Sequence, residues 1–315
     1  MNAKIDLLTR VAELYYEQDL SQNDIAKMLD TSRPTVSRLL VEAKREGIVE
    51  ITVHSPIRKH ARLSLELRRA LSLREAIVVS GRYDYEKALR RCCEATLSLC
   101  NTILENNATI GIAWGAAPRY LCDLMEEHPY DQPYYNVNVV QMVGCLGTGN
   151  PNIDGIELAL RMSRSLGGRY SNIYAPIYVG SEEVYHYLIQ EPQIESTLKH
   201  AEHLDIILTG VGSLDEETIL QRAGYFTDAD RRALLDQGAV GHLLARPFDR
   251  TGAEIVTPGR YTVGAPLSAM RSAEWSIGIS AAEFKAEATL AAVRGGYINV
   301  LVVDEVLATR LLELA

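Results

Sequence analysis

A chain of 315 residues that is 47% hydrophobic can bury a sizeable core and has room for two domains, yet no apolar run in it approaches a membrane span. Five cysteines (Cys92, Cys93, Cys100, Cys122, Cys145), odd in number and without a CxxC pair, argue against a secreted disulfide framework and for free buried thiols in a reducing cytoplasm. The formal charge of −9 speaks against uniform basicity, but nucleic-acid binding follows local potential: residues 1–60 carry nine Lys/Arg and nine Asp/Glu, so the acid excess lies in the remainder.

Apolar positions at Ile5, Leu7, Leu8, Val11, Ala12, Leu14 and Tyr15 predict a helix over residues 3–17. That stretch contains acids and lacks the basic-then-apolar order of a signal peptide. Ser21 is placed to cap a second helix, with Asp24 as a short acidic variant of the capping box, and Ile25, Ala26 and Leu29 turn inward. Asp30 and Thr31 make a tight turn. Ser32 caps a third helix with Pro34 in its first turn, where a missing N–H costs little. Val36, Leu39, Leu40 and Ala43 form its buried face. Gly47 ends it, and Ile48 to Val53 alternates as a strand that would open a small wing. Pro56 marks a boundary. Residues 57–73 read as a basic amphipathic helix striped by Leu63, Leu67, Ala70 and Leu71, either a linker packed on the larger domain or a dimer contact.

From Glu75 the pattern is strand–helix alternation. Strands are expected at Ala76–Val79, Thr109–Trp114, Val137–Val143, Ile206–Thr209, Tyr261–Val263, Ser276–Ile279 and Val300–Val302. Helices are expected at about 85–104, 118–127, 155–166, 282–294 and 305–314. Apolar strands opening into glycines, with helices between, indicate a mostly parallel sheet covered on both faces, whose ligands bind at the carboxyl ends of the strands. The fold class is therefore α/β: an N-terminal winged helix–turn–helix domain (1–55), a linker helix (56–74), and a larger Rossmann-like, mostly parallel α/β effector-binding domain (75–315).

On the third helix Arg33, Ser37 and Lys44 face away from the buried stripe, with Thr35 and Arg38 flanking. Arginine forks onto guanine, and Ser and Thr donate to bases or phosphates. Base contacts are expected from Arg33, Thr35 and Ser37, phosphate contacts from Arg38 and Lys44, and a phosphate on the N–H groups near Gln22 and Asn23. A three-helix domain with a merely solvated polar face shares the apolar pattern. The coincidence of helix–turn–helix spacing, short polar residues early in the last helix and nearby arginines separates the two readings.

Four glycine-bearing loops follow expected strands, at Trp114–Gly115, 144–147, 210–213 and 278–282. Glycines there let backbone N–H groups cradle an anion such as a sugar phosphate, but they also serve as ordinary turns. No loop fits a nucleotide-binding motif. Asp154 either caps a helix or accepts from a ligand hydroxyl; Lys285 reaches an anion or is solvated; Arg246 binds a charged group or braces a loop. His200 and His203 are the one close histidine pair. No catalytic arrangement, metal site or cofactor is expected.

The segment LYYEQDLSQNDIAKMLDTSRPTVSRLLVEAKREGIVEI resembles the N-terminal domain of the SorC family of bacterial transcription regulators. The body resembles that family's sugar-binding domain, related in fold to ribose-5-phosphate isomerase and glucosamine-6-phosphate deaminase, through GIAWG (111–115), VVQMVG (139–144), NIDG (152–155), TGVGS (209–213), RAGYF (222–226), AVGHLLARPFD (239–249) and KAEATLAAVRGGYINVLVVDE (285–305). The resemblance implies a cytoplasmic homodimer or homotetramer that binds operator DNA, regulates a carbohydrate or nucleoside catabolic operon and answers to a phosphorylated sugar or related metabolite. Gly115, Gly144, Gly147, Asp154, Gly212, Arg246 and Lys285 are the effector-site candidates. The alternative is a sugar-phosphate isomerase-like enzyme with an accessory DNA-binding domain. Departures from the family pattern are Ala116–Ala117 where a hydroxyl residue is common, Cys145 in place of a second glycine, Val143 where a Schiff-base lysine stands in aldehyde-responsive members, and Ala281–Ala282 in place of a glycine pair.

Overall fold

The computed structural model describes residues 3–49, 57–130, 134–147, 149–150, 153–214 and 219–315, and the chain divides into two units, Met1–Pro56 and Ile57–Ala315. In the first unit, α1 (Ala3–Ala12) widens into a π-helical turn at Glu13–Glu17 and is followed by α2 (Gln22–Met28) and α3 (Arg33–Arg45). Ser21 accepts the Asp24 N–H and donates its hydroxyl to the Asp24 carboxylate at 2.6 Å. Ser32 caps α3 by accepting the Thr35 N–H. Asp30, at φ +46°, makes the tight turn between α2 and α3, a conformation Asp tolerates better than most residues. Val11, Leu14, Ile25, Ala26, Val36 and Leu40 are packed together as the core, and Leu8, Ala12 and Ala43 form a second cluster with Ile48 and Val49. Of the expected wing strand, residues 50–53 lie outside the described residues, as does Pro56. Ile48 and Val49 both donate their N–H to the Ala43 carbonyl.

The second unit runs through α4 (Ala61–Ala70), β1 (Glu75–Val79), α5 (Tyr85–Ile103), β2 (Thr109–Ile112), α6 (Ala116–Glu127), β3 (Asn138–Gln141), α7 (Gly155–Leu166), β4 (Arg169–Ser171), β5 (Tyr178–Val179), α8 (Glu182–Gln190), α9 (Pro192–His200) and β6 (Ile206–Gly210). It continues through β7 (Gly212–Ser213), α10 (Ile219–Arg222), α11 (Asp228–Asp236), β8 (Ala239–Leu243), β9 (Arg246–Asp249), β10 (Tyr261–Thr262), α12 (Ser268–Ser272), β11 (Trp275–Ser280), α13 (Ala286–Arg294), β12 (Val300–Asp304) and α14 (Glu305–Leu314). Seven strands form one sheet in the order β1-β12-β11-β6-β2-β3-β4, and each neighbouring pair is parallel. The central strands are buried along their length, which is why they read as unbroken apolar runs. Two large cores, one on each side of the sheet, contain Leu67, Val140, Phe248, Leu301 and Leu311 on one face and Ile112, Leu121, Met162, Leu208 and Val302 on the other.

Two expectations change. Tyr261–Thr262 is a strand, but it pairs antiparallel with β5 in a two-stranded ribbon outside the main sheet. The helix expected from residue 57 begins at Ala61, because residues 57–60 run along β1: His60 donates to the Val78 carbonyl at 2.8 Å and Ser80 to the Arg58 carbonyl at 2.7 Å. The His60 ring then caps α4 by accepting the Leu63 N–H. Leu63, Leu67 and Leu71 pack α4 into the larger unit against β1 and α14.

Close backbone approach fixes Gly144. Its N–H donates to the Val263 carbonyl at 2.9 Å, and a Cβ there would lie 2.6 Å from the carbonyl oxygens of Ala175 and Pro176. Gly144→Ala is expected to lower stability to urea by about 2 kcal/mol, whereas Gly180→Ala, which meets nothing within 4 Å, should leave the unfolding midpoint within error.

Candidate functional site

Strand order reverses between β2 and β6, the point where an open parallel sheet leaves a crevice at its carboxyl edge. A cavity of about 740 Å³ lies there, lined from β2 by Trp114 and Gly115, from β6 and β7 by Thr209 to Ser213, and from β8 by His242. Ser280 at the end of β11 and Lys285 beyond it also line it. The volume is that of a small-metabolite site. Gly115 is the N-cap residue of α6 at φ +118°, and no side chain caps the helix. Ala116 and Ala117 therefore bring the first backbone N–H groups of α6, the positive end of its dipole, to the cavity wall. The Lys285 ammonium donates to the Ser213 hydroxyl at 3.2 Å. Among the described lining residues Arg119, Arg222 and Lys285 are cationic and Glu86 is acidic. The cavity is suited to an anion.

His242 forms part of the floor. Its ring lies 5.9 Å from that of Trp114, and it sits so close to Gly212 that a Cβ there would fall 2.2 Å from Nε2. Burial, with the Lys285 charge adding to it, pushes the imidazole pKa down to about 3, so it is neutral at physiological pH. The Trp114 indole N–H is buried without a hydrogen-bond partner among the described residues.

The structure brings Gly115, Gly212 and Lys285 together at this cavity and sets the other four effector candidates outside its lining. Gly144 spends its N–H on Val263, as above. Gly147 donates to the Asp154 carboxylate at 3.0 Å, and Asp154 also caps α7 by accepting the Ile156 N–H. These two fasten the loop whose Asn150 and Ile153 reach the wall. Arg246 pairs with Glu254 at 2.9 Å and donates to the carbonyls of Thr262 and Ala265, so it braces loops. Asn152, in the matched NIDG stretch, lies outside the described residues. The cysteines carry no site: four are buried and Cys145 is half-buried, with burial raising each thiol pKa. His200 ends α9 against the Ser171 hydroxyl, and His203 follows in a turn.

On the first unit, Arg33, Arg38 and Lys44 are exposed on α3, and Gln22 and Asn23 open α2. Lys44 lies 5.7 Å from the Tyr16 ring centroid. The Thr35 hydroxyl is 2.9 Å from that of Ser32 and accepts from Arg38 at 3.4 Å, both contacts at the exposed surface of α3.

Residues 55–313 match the family described as "Putative sugar-binding domain", and residues 6–66 match the Crp-like helix-turn-helix domain. The chain belongs to the SorC family of transcription regulators. It is 29% identical to the deoxyribonucleoside regulator of Bacillus subtilis strain 168 over 304 residues, 96% of each chain. It is also 29% identical to the transcriptional regulator YjhU of Escherichia coli K12 over 299 residues, 93% of this chain and 90% of that one. The crystal structure of the full-length sorbitol operon regulator SorC from Klebsiella pneumoniae superposes with a TM-score of 0.74 at 26% identity, covering 99% of this chain and 100% of that one. As a member of the SorC family the chain is a DNA-binding transcriptional regulator and not an enzyme. No described helix is long and apolar enough to cross a membrane.

Within this SorC-family chain the Ala281–Ala282 departure has a cost. Ala282 sits at φ +70°, ψ +150°, a region almost reserved for glycine, and its N–H donates to the Asp304 carboxylate at 3.1 Å. That backbone donor is therefore taken by the scaffold. Arg119, Ser213, Arg222 and His242 were not among the site candidates: the last three lie in the quoted stretches TGVGS, RAGYF and AVGHLLARPFD, but nothing in those letters singles them out, and their approach depends on strands distant in sequence. The Gly212–His242 pairing, for example, spans an antiparallel β7–β8 contact.

Two measurements follow. Ala282→Gly should raise the unfolding free energy by about 1 kcal/mol, read by denaturant titration, because glycine adopts this backbone without strain. The neutral burial of His242 lowers its folded pKa below that of the unfolded chain, so the unfolded state binds more protons. Its contribution is complete above about pH 6.5 and is lost as pH falls toward about 3. His242→Gln should flatten that part of the stability–pH profile.

Proposed function

We propose that this regulator acts in the cytoplasm as a homodimer or homotetramer on a carbohydrate or nucleoside catabolic operon, and that its effector is a phosphorylated sugar or related metabolite. The observation that carries this reading is the cavity at the strand reversal, where the uncapped start of α6 and the Lys285 ammonium face one space. Backbone N–H groups at a helix start and a lysine are complementary to a phosphate. The effector meets Gly115, Gly212 and Lys285, while Gly144, Gly147, Asp154 and Arg246 hold the surrounding loops. On the DNA side, Arg33, Thr35 and Ser37 face base edges, and Arg38, Lys44 and the start of α2 at Gln22 and Asn23 take phosphates. Covalent capture by a lysine at the Val143 position is not part of this reading, since valine has no amine and Val143 is fully buried.

Regulation is a linkage between the two sites. An effector that binds one arrangement of the oligomer more tightly shifts the population that presents paired heads at the operator half-sites; one that binds both equally shifts nothing. A thermal-shift screen of sugar phosphates, followed by operator titration with each hit, tests this. A hit should change operator affinity at least fivefold, and Lys285→Ala should abolish the thermal shift while leaving effector-free DNA binding intact. A ligand that binds tightly without moving operator affinity refutes the coupling. Ligands confined to unphosphorylated compounds refute the phosphate.

A further inference from the structure

Val41 is 67% exposed on α3. It lies one turn from Ser37 and Arg38 and one turn from Lys44 and Arg45, so Pro34, Ser37, Arg38, Val41 and Arg45 share the outer face, opposite the buried Val36, Leu40 and Ala43. Of the large hydrophobic residues exposed in the first unit, Met28 at 60% comes nearest to it, on a different helix. A valine on an exposed helix face gains no burial from its own fold, and its β-branch holds it in one strongly preferred rotamer. Its methyl groups are thus presented rigidly, and little side-chain entropy remains to be lost on contact.

The charged surroundings select the partner. Arg38 and Lys44 are exposed beside Val41. Glu42, the adjacent acid, is tied to Lys4 at 2.7 Å and to Arg45 at 3.0 Å. An apolar protein surface covering Val41 would have to desolvate the arginine and lysine flanking it. A DNA duplex instead accepts those cations on its phosphates and offers a single apolar group on the base edges of its major groove, the C5-methyl of thymine. We propose that Val41 is a specificity residue that packs on a thymine methyl group, selecting thymine over cytosine at one position per recognition helix. The inference rests on α3 being the helix that enters the groove.

The test uses the full-length chain and duplexes that it selects from a random library. Each thymine is replaced singly by deoxyuridine, which removes the methyl and leaves every hydrogen-bonding group in place. The wild-type chain should lose about fourfold in affinity at one thymine per recognition helix, the equivalent of one methyl group left unburied. Val41→Ala should bind the thymine duplex about fourfold more weakly and be indifferent to uridine at that position, whereas Val41→Ile should keep the penalty. Uridine without effect on the wild type at every position overturns the proposal, as does a full penalty that persists in Val41→Ala. An altered oligomeric state in Val41→Ala with unchanged uridine sensitivity assigns the residue to a contact between copies and overturns it too. Arg33→Ala, which removes a base contact on the proposed reading, separates the two levels. If that variant keeps sequence-selective affinity, α3 is not the reader and both claims fall; if it loses selectivity while uridine is neutral, only the role of Val41 fails.

Discussion

From β2 the chain proceeds outward through β3 to β4 on one side, and then crosses back to lay β6, β11 and β12 on the other. Two parallel strands that are adjacent in the sheet but whose connections depart in opposite directions cannot have their carboxyl ends covered by the same crossover. The cavity is the space this leaves, and its walls include the loops that begin where β2, β6 and β11 end. Close packing beneath it is unforgiving. A Cβ on Gly111 of β2 would lie 2.6 Å from Leu204, and one on Gly278 of β11 would lie 2.4 Å from Ile298. Those glycines let the loop segments of Leu204 and Ile298 pack directly on the sheet.

Much of this architecture was legible because its signals are local. α7 begins at Gly155 and ends at Leu166 as expected, with Asp154 capping one end and Gly167 at φ +68° the other. The strands of the parallel sheet are buried apolar runs, and the two helices of the helix–turn–helix carry serine caps at Ser21 and Ser32. What was not legible is non-local. β5, β7 and β10 are two residues long and owe their existence to partners far away in sequence. Nor does the letter G distinguish its uses. Gly115 serves a positive φ at the cavity, Gly212 makes room for the His242 ring, and Gly144 allows three chain segments to meet away from the cavity. Only the fold separates the first two from the third.

Thr35 shows the same limit on α3, the helix proposed to read DNA. Its sequence position, early in the third helix and beside arginines, marks it as an outward hydroxyl. Yet a hydroxyl three residues after an N-cap serine is also within reach of that serine, and the Ser32–Thr35–Arg38 chain of contacts is the outcome. The consequence favours recognition. An arginine steadied by a neighbouring hydroxyl has less rotamer freedom to lose when it meets DNA, and the head, which carries no net charge by count over residues 1–60, has little long-range attraction with which to offset that loss.

The Asp304–Ala282 contact bears on how an anion would be held on the proposed reading. A backbone donor in the loop after β11 serves a ligand only if no protein group already takes it. Here Ala282 instead gives its N–H to a carboxylate that also caps α14 through Leu307, and burial raises the pKa of Asp304 while those donors oppose the rise. The loop is committed to the scaffold. The donors that line the cavity are then the first turn of α6 with Arg119, Arg222 and Lys285. An anionic effector on this reading is met from the end of β2 and from beyond β11, two strands that β6 separates in the sheet.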